Sequence, residues 1–491
     1  MHSCASQHGH SAFPSTHNRP RRSLTAHLTG FIIATLAALS MGAAQAAPDS
    51  HADSGTVSPG KYLALAADCA ACHTAPKGGA AYAGGYGIAS PLGTIYASNI
   101  TPSTTAGIGN YTESEFVQAV RHGIRKDGSH LYPAMPYTSY ARISDADMHT
   151  LYGYFMHEVQ PVDTKPQATA LAFPFSVRRS MAAWNLLFAD GKTFTADPAQ
   201  TAEYNRGMYL SEALGHCSAC HTPRNTLMAE QSGAGLSGGQ LGSWYAPNIT
   251  SDVASGVGGW TQAQLVQFLH SGDVPGKAQA AGPMAEAIEH SLQYLTPPDL
   301  NALAVYLKTS KPVHTGESTP RDGFGIPANS EPEVRGVAAS SATAGALIYS
   351  GTCASCHGAT GAGNKAGFYP QLFHNTATGA THADNLIATI LFGIQRTVAG
   401  KEALMPAFGP DAYVNRLSDQ QVADVSNYVL KQFGNAAVTV TAQDVTTVRT
   451  GGPTAPLATL GKLAVPGIVI VVLLVLAFVF WLSRRRKPTL A

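Results

Sequence analysis

Cys69-Ala70-Ala71-Cys72-His73 recurs as Cys217-Ser218-Ala219-Cys220-His221 and again as Cys353-Ala354-Ser355-Cys356-His357. Each copy has the Cys-x-x-Cys-His spacing of c-type haem attachment. The spacing has a physical cause. Two thiols on one helical turn reach the two vinyl groups of one haem and form thioethers. The adjacent imidazole then points at the iron. The chain has 7 cysteines. Cys4 lies in the N-terminal leader, and the other six are all used by these motifs. A thioredoxin-like redox site gives no role to the histidine. Zinc sites pool four ligands, which three separated motifs do not supply.

Outward from the motifs, an internal repeat appears. Tyr96-Ala97-Ser98-Asn99-Ile100-Thr101 matches Tyr245-Ala246-Pro247-Asn248-Ile249-Thr250. Gly107 to Thr112 matches Gly256 to Thr261, and Glu115 to Val120 matches Gln264 to Leu269. Met135 stands as far beyond Tyr111 as Met284 stands beyond Trp260, so the halves align there without a gap. A haem iron in an electron carrier takes a second axial ligand, and methionine sulfur raises its potential. Met284 is the one candidate well placed after the second motif, and Met405 is the only methionine after the third. Met135 is picked from its neighbours by the repeat and by its Pro-Ala-Met-Pro setting, like Leu404-Met405-Pro406. The alternative for any single methionine is core filling.

The coarse pattern of each unit reads helix, haem motif, loop, methionine, helix. The leading helices begin near Gly60, Arg206 and Gly345. The closing helices are opened by Ser144-Asp145, Thr296-Pro297 and Ser418-Asp419, which look like N-caps. The spacing of Val422, Val425, Tyr428 and Val429 is helical. The linkers are irregular and Pro-rich. In the first, Phe173, Phe175, Arg178, Arg179 and Trp184 either dock a partner or pack on their own domains. Gly233 to Gly238 fits G-x-G-x-x-G but follows no strand, so it is not read as a nucleotide site.

Both ends read as targeting segments. Arg19, Arg21 and Arg22 precede an apolar run from Leu28 to Met41 and then Ala44-Gln45-Ala46, the pattern of a signal peptide cut after Ala46. Leu463 to Leu482 carries no charge and is long enough to span a bilayer, with Pro466 expected in its first turn. Arg484, Arg485, Arg486 and Lys487 follow it, which places that tail in the cytoplasm by the positive-inside rule. Lys plus Arg is 31 against 30 Asp plus Glu, so nothing points to nucleic acid.

With these motifs placed, the chain resembles the tri-haem cytochrome c subunits of membrane-bound dehydrogenases of acetic acid bacteria. The stretches that carry the likeness are Gly107 to Thr112, Tyr132 to Pro136, Gly215 to Cys217, Cys220 to Asn225, Gly282 to Met284 and Leu404 to Gly409. The C-terminal anchor and Ala285 to Tyr294 look most like the flavin-dependent gluconate, sorbitol and fructose branch. The quinoprotein alcohol dehydrogenase cytochrome is the related alternative. The implied fold is mainly α: three class I cytochrome c-like domains in tandem plus one C-terminal transmembrane helix. The expected layout is signal peptide 1–46, first domain 47–165, linker 166–201, second domain 202–312, linker 313–340 and third domain 341–436. A stalk 437–462, the span 463–482 and a basic tail 483–491 complete it.

By the resemblance, three covalent haem c groups are held by Cys69 and Cys72, Cys217 and Cys220, and Cys353 and Cys356. Their irons take His73 with Met135, His221 with Met284, and His357 with Met405. The chain has no catalytic centre of its own. It would relay electrons from a periplasmic flavoprotein subunit, with a small third subunit possible, to ubiquinone in the inner membrane. A terminal-oxidase cytochrome or a multihaem peroxidase are the competing classes, and three available methionines argue against the open iron of a peroxidase. Arg224, absent from the other two motifs, either meets a haem propionate or is exposed.

Overall fold

The computed structural model describes residues 57–334, 342–365, 367–413 and 415–485. The expected signal peptide and the end of the basic tail lie outside them. All described residues belong to one compact unit, Thr56–Ala491. Within it the chain is largely helical, and the described strands form four two-stranded antiparallel hairpins.

Each haem motif follows a short helix: Pro59–Ala66, Ala202–Tyr209 or Ala344–Ile348. Ser58, Thr201 and Thr343 cap these helices, each accepting a backbone N–H of the first turn. The closing helices are Asp145–His157, Pro297–Thr309 and Asp419–Phe433, capped by Ser144, Thr296 and Ser418 as their sequences predict. In the first two units a middle helix, Glu113–His122 or Gln262–Ser271, starts with a capping box. Thr112 pairs with Glu115 in one, Thr261 with Gln264 in the other. That reciprocal bond accounts for the repeated Thr-x-x-Glu/Gln spacing.

The leading and closing helices cross at a glycine in all three units. A Cβ on Gly60 would lie 2.5 Å from Tyr154 Cβ, one on Gly207 1.9 Å from the Ala302 carbonyl, and one on Gly345 2.1 Å from the Asp424 carbonyl. Tyr306 and Tyr428 stand beside the second and third crossings as Tyr154 stands at the first. The three tyrosines are buried.

The buried apolar residues do not divide into three equal cores. One cluster runs from Leu63 to Leu307 and pools the first two units. A second, from Ala346 to Val448, belongs to the third. Polar bonds tie the first two together as well. Tyr62 donates to Asp299 Oδ2 at 2.6 Å, while Arg206 holds the same carboxylate through Nε and Nη2 at 2.8 and 2.7 Å. The segment expected as a stalk contains the helix Ala442–Arg449, whose Val445 and Val448 are buried in the third core.

The helix Pro456–Arg485 covers the expected span. It begins earlier than its apolar run, so Pro466 lies inside it rather than in its first turn. The side chains at 464, 465 and 468 fall outside the described residues. Among the described residues no helix is long and apolar enough to cross a membrane, so the expected transmembrane helix is not shown by the fold.

The crossings give a prediction with two signs. Gly207→Ala drives a methyl into a main-chain carbonyl and should destabilise the protein by about 3 kcal/mol. Gly153 lies in the closing helix of the first unit with no atom within 4 Å of an added Cβ. Gly153→Ala should therefore stabilise, by about 0.5–1 kcal/mol, through helix propensity alone. Chemical denaturation of the two variants beside the parent protein checks both signs.

Candidate haem-binding sites

Each motif begins where the preceding helix is interrupted. In the first unit the helix ends and Asp68 takes a left-handed conformation, φ 51°, immediately before Cys69. In the second, a π-helical turn Leu210–Leu214 is followed by His216 at φ 39° and then Cys217. In the third a π-helical turn, Tyr349–Cys353, runs into the motif. π-turns are uncommon and concentrate at functional sites. Two of the three motifs are entered through one.

The six cysteines are unbridged thiols, partly enclosed by the cores. Burial pushes Cys69, Cys72 and Cys353 up to about 12 and Cys220 up to about 11. Cys217 is raised by the same cause. Such thiols resist becoming thiolates, which disfavours a redox-exchange reading. A thioether, once formed, carries no charge and suits these surroundings.

The three histidines share one geometry. His73 Nδ1 lies 2.6 Å from the Ser98 carbonyl, His221 Nδ1 2.6 Å from the Pro247 carbonyl, and His357 Nδ1 2.9 Å from the Pro370 carbonyl. A carbonyl can only accept, so Nδ1 carries the hydrogen in each ring. Nε2 keeps its lone pair, as an axial ligand requires. Burial lowers all three imidazoles from their ordinary value, His221 to about 4, so the rings are neutral at physiological pH. Paired cysteines, a neutral oriented imidazole and an apolar setting fit haem c at all three places. When bound, the group supplies a one-electron iron couple.

The repeated Tyr-Ala-x-Asn-Ile-Thr segment is the machinery around the first two histidines. Its third residue supplies the carbonyl that holds the ring. Asn99 Oδ1 accepts from Thr101 N at 2.8 Å and Thr101 Oγ1 at 2.7 Å, and Asn99 Nδ2 donates to the carbonyls of Val162 at 2.7 Å and Thr164 at 3.1 Å. Thr101 Oγ1 in turn accepts from Val162 N at 3.1 Å. The second copy repeats this: Asn248 Oδ1 accepts from Thr250 N and Oγ1 at 2.9 and 2.7 Å, and Asn248 Nδ2 donates to Val313 O at 2.7 Å. Thr250 Oγ1 accepts from Val313 N at 3.2 Å. The chain that leaves each unit is thus pinned beside that unit's histidine. The repeat is visible in the sequence, but partners some sixty residues away are not.

The structure brings Met135 and His73 to one space, a cavity of about 500 Å³ that they line together with Asn99, Arg125 and Arg178. The pooled core of the first two units borders Cys69, Cys217, Met135 and Met284 alike, while Met405 and Cys353 border the other. The settings of the methionines differ. Met284 lies in the helix Gly282–His290, which Pro283 opens, and Met405 ends the strand Lys401–Met405, opposite Ile394. Arg224 turns onto its own loop: it donates to Met228 O at 3.3 Å and to Ala219 O, and pairs with Glu230 at 3.8 Å.

The family model for cytochrome c matches residues 57–157 and 342–432. The chain is 47% identical over 448 residues to the fructose dehydrogenase cytochrome subunit of Gluconobacter japonicus, covering 88% of this chain and 91% of that one. It is 41% identical over 415 residues to the cytochrome c subunit of the quinone alcohol dehydrogenase of Gluconacetobacter polyoxogenes, covering 82% and 86%. It is 40% identical over 417 residues to the gluconate 2-dehydrogenase cytochrome c subunit of Pantoea cypripedii, covering 82% and 91%.

Asn99 is buried, 4% exposed, with every polar atom engaged. Asn99→Ala should leave the Thr101 amide and the Val162 carbonyl without that partner and cost about 2 kcal/mol. Because the bonds hold the wall of the first site alone, limited proteolysis of the denaturant-stressed protein should open the 160–180 region first. Unchanged stability and unchanged cleavage would show that the clasp is dispensable.

Proposed function

This chain belongs to the family of dehydrogenase cytochrome c subunits, and from that premise we propose how its haems are ligated, anchored and supplied. It is an electron-transfer subunit, not the catalytic one, and carries covalent haem c at three Cys-x-x-Cys-His sites. The irons are bound by His73 with Met135, His221 with Met284, and His357 with Met405. The observation that carries this ligation is the first cavity, where an imidazole with a free Nε2 and the sulfur-bearing Met135 share one wall-to-wall space. The other two sites repeat the oriented imidazole.

Electrons enter from a flavin-dependent sugar, polyol or sugar-acid dehydrogenase subunit and leave to ubiquinone. Greater identity to a fructose dehydrogenase cytochrome subunit than to alcohol dehydrogenase or gluconate dehydrogenase ones supports this branch. The haem units occupy the periplasmic side of the inner membrane, held by the span 463–482. What supports the anchor is the sequence itself, uncharged from Leu463 to Leu482. A helix that leaves Val471 59%, Leu474 64% and Phe480 57% exposed also has apolar surface that water does not favour. The test is purification from membranes with identification of the large subunit that accompanies the chain. A flavoprotein is expected. A quinoprotein partner, or none, would overturn the assignment.

Two variants test the ligation and the anchor. Met284→Leu keeps Cys217, Cys220 and His221 and nearly preserves volume, so the haem should stay attached. Loss of the sulfur should lower one of three midpoint potentials and weaken the sulfur-to-iron absorbance. If all three midpoints stay, Met284 is a packing residue. Deletion from Leu463 onward removes nothing from the third core, which ends with Val448. The truncated chain should leave the membrane with three haems per chain by pyridine haemochrome, and quinone reduction by the complex should fall.

A further inference from the structure

The segments that join the units are more than spacers. After the Asn99 and Thr101 clasp, the chain runs along the first site. Tyr96 N donates to Thr169 Oγ1 at 2.9 Å and Tyr132 OH donates to the Phe175 carbonyl at 2.8 Å. Residues 165–169 and Arg178 form part of the wall of the cavity that holds His73 and Met135. The Arg178 guanidinium is fixed at two points: Nη1 donates to the His130 carbonyl at 3.0 Å, and the group lies 4.5 Å from the centroid of the Tyr132 ring.

The second unit repeats the arrangement. After the Asn248 and Thr250 clasp on Val313, the chain reaches Arg321, whose Nη2 donates to the Asn248 carbonyl at 3.2 Å. The preceding carbonyl, that of Pro247, holds His221. Among the described residues neither Arg178 nor Arg321 forms an ion pair. Each guanidinium hydrogen-bonds a main-chain carbonyl, Arg178 also lies over the Tyr132 ring, and Glu317 and Asp322 act on Arg321 electrostatically without a hydrogen bond, so N–H donors of both remain available to an anion. The third unit is different: after its closing helix the arginine is Arg449, whose Nε already donates to Asp419 at 2.6 Å.

We propose that Arg178 and Arg321 are the cations that receive the carboxylates of the first and second haems, so each joining segment completes the site of the unit before it. The inference rests on the haem reading above. Arg125 and the exposed Lys165 also border the first cavity, but only Arg178 is held in place from two sides. A fixed positive charge near the iron favours the reduced state and raises the potential. It also ties the joining segment to haem loading.

The experiment uses the full-length holoprotein, with haem content by pyridine haemochrome and midpoints by potentiometric titration. Arg178→Gln should lower one midpoint, Arg321→Gln should lower a different one, and Arg178→Lys should keep most of the parent value. Should Arg178→Gln lose one haem while Arg178→Lys keeps three, the assignment is equally supported. It is overturned if the glutamine variants keep three haems at unmoved midpoints, or if lysine behaves like glutamine, which would make Arg178 a packing group on Tyr132. Fewer than three haems in the parent protein would instead sink the haem reading itself.

Discussion

Everything in this chain hangs on a helix crossing too close for any side chain but hydrogen. Gly60, Gly207 and Gly345 each bring a leading helix against the main chain or Cβ of a closing helix, beside Tyr154, Tyr306 and Tyr428. Cys69, Cys217 and Cys353 follow these glycines by 9, 10 and 8 residues along the same run of chain. The crossing therefore fixes where the first cysteine of each motif starts. A methyl at the crossing would shift the helix, and the thiols and imidazole would shift with it. Packing density in the core thus becomes positional accuracy at the site.

The second constraint is electrostatic. An imidazole buried in apolar surroundings stays neutral, but neutrality alone leaves the tautomer open. Three main-chain carbonyls settle it, at Ser98, Pro247 and Pro370. Two of the three come from the Tyr-Ala-x-Asn-Ile-Thr repeat, whose Asn and Thr also secure the departing chain. One six-residue segment therefore orients a ligand and closes a wall. That double use explains why it is retained as a unit in both halves while the intervening loops differ.

How much of this was legible depends on range. The Cys-x-x-Cys-His motifs, the N-caps at Ser144, Thr296 and Ser418, and the helical faces are local, and the sequence reads them directly. The capping boxes at Thr112 and Thr261 are local too, though they surfaced first only as a repeat. Contacts across long separations were not readable. Asn99 reaches Val162, Tyr62 reaches Asp299, and the helix Ala442–Arg449 folds back to bury Val445 and Val448, so the expected stalk is partly core. The loop expected to present Met284 is a helix because Pro283 and the run to His290 favour one. The loop expected for Met405 is a hairpin, with Gly400 in its turn at φ 74°. Arg224 stood out as a break in symmetry, yet its own loop satisfies it, while Arg178, read as docking a partner or packing on its own domains, lines the cavity of the first unit.

The pooling of the first two cores bears on how electrons can move. An electron carrier works best when its surroundings rearrange little on reduction, and rigidity comes from dense contacts around the site. The helix Gly282–His290, which bears Met284, packs on the helix of the first haem motif, and Glu286 accepts from Tyr86 OH at 3.3 Å. Its other side meets the hairpin of the third unit. Glu289 accepts from Thr397 N at 3.2 Å, Gln293 just beyond accepts from Ala399 N at 3.0 Å, and Arg396 donates to Ala280 O at 2.6 Å. One helix is thus braced by all three units. A displacement at any of them is resisted by the other two, and the second site inherits that resistance. Three tethered cofactors on independently moving domains would tumble relative to one another. The same three on elements braced through a common helix keep fixed separations, which is the condition a relay by tunnelling needs.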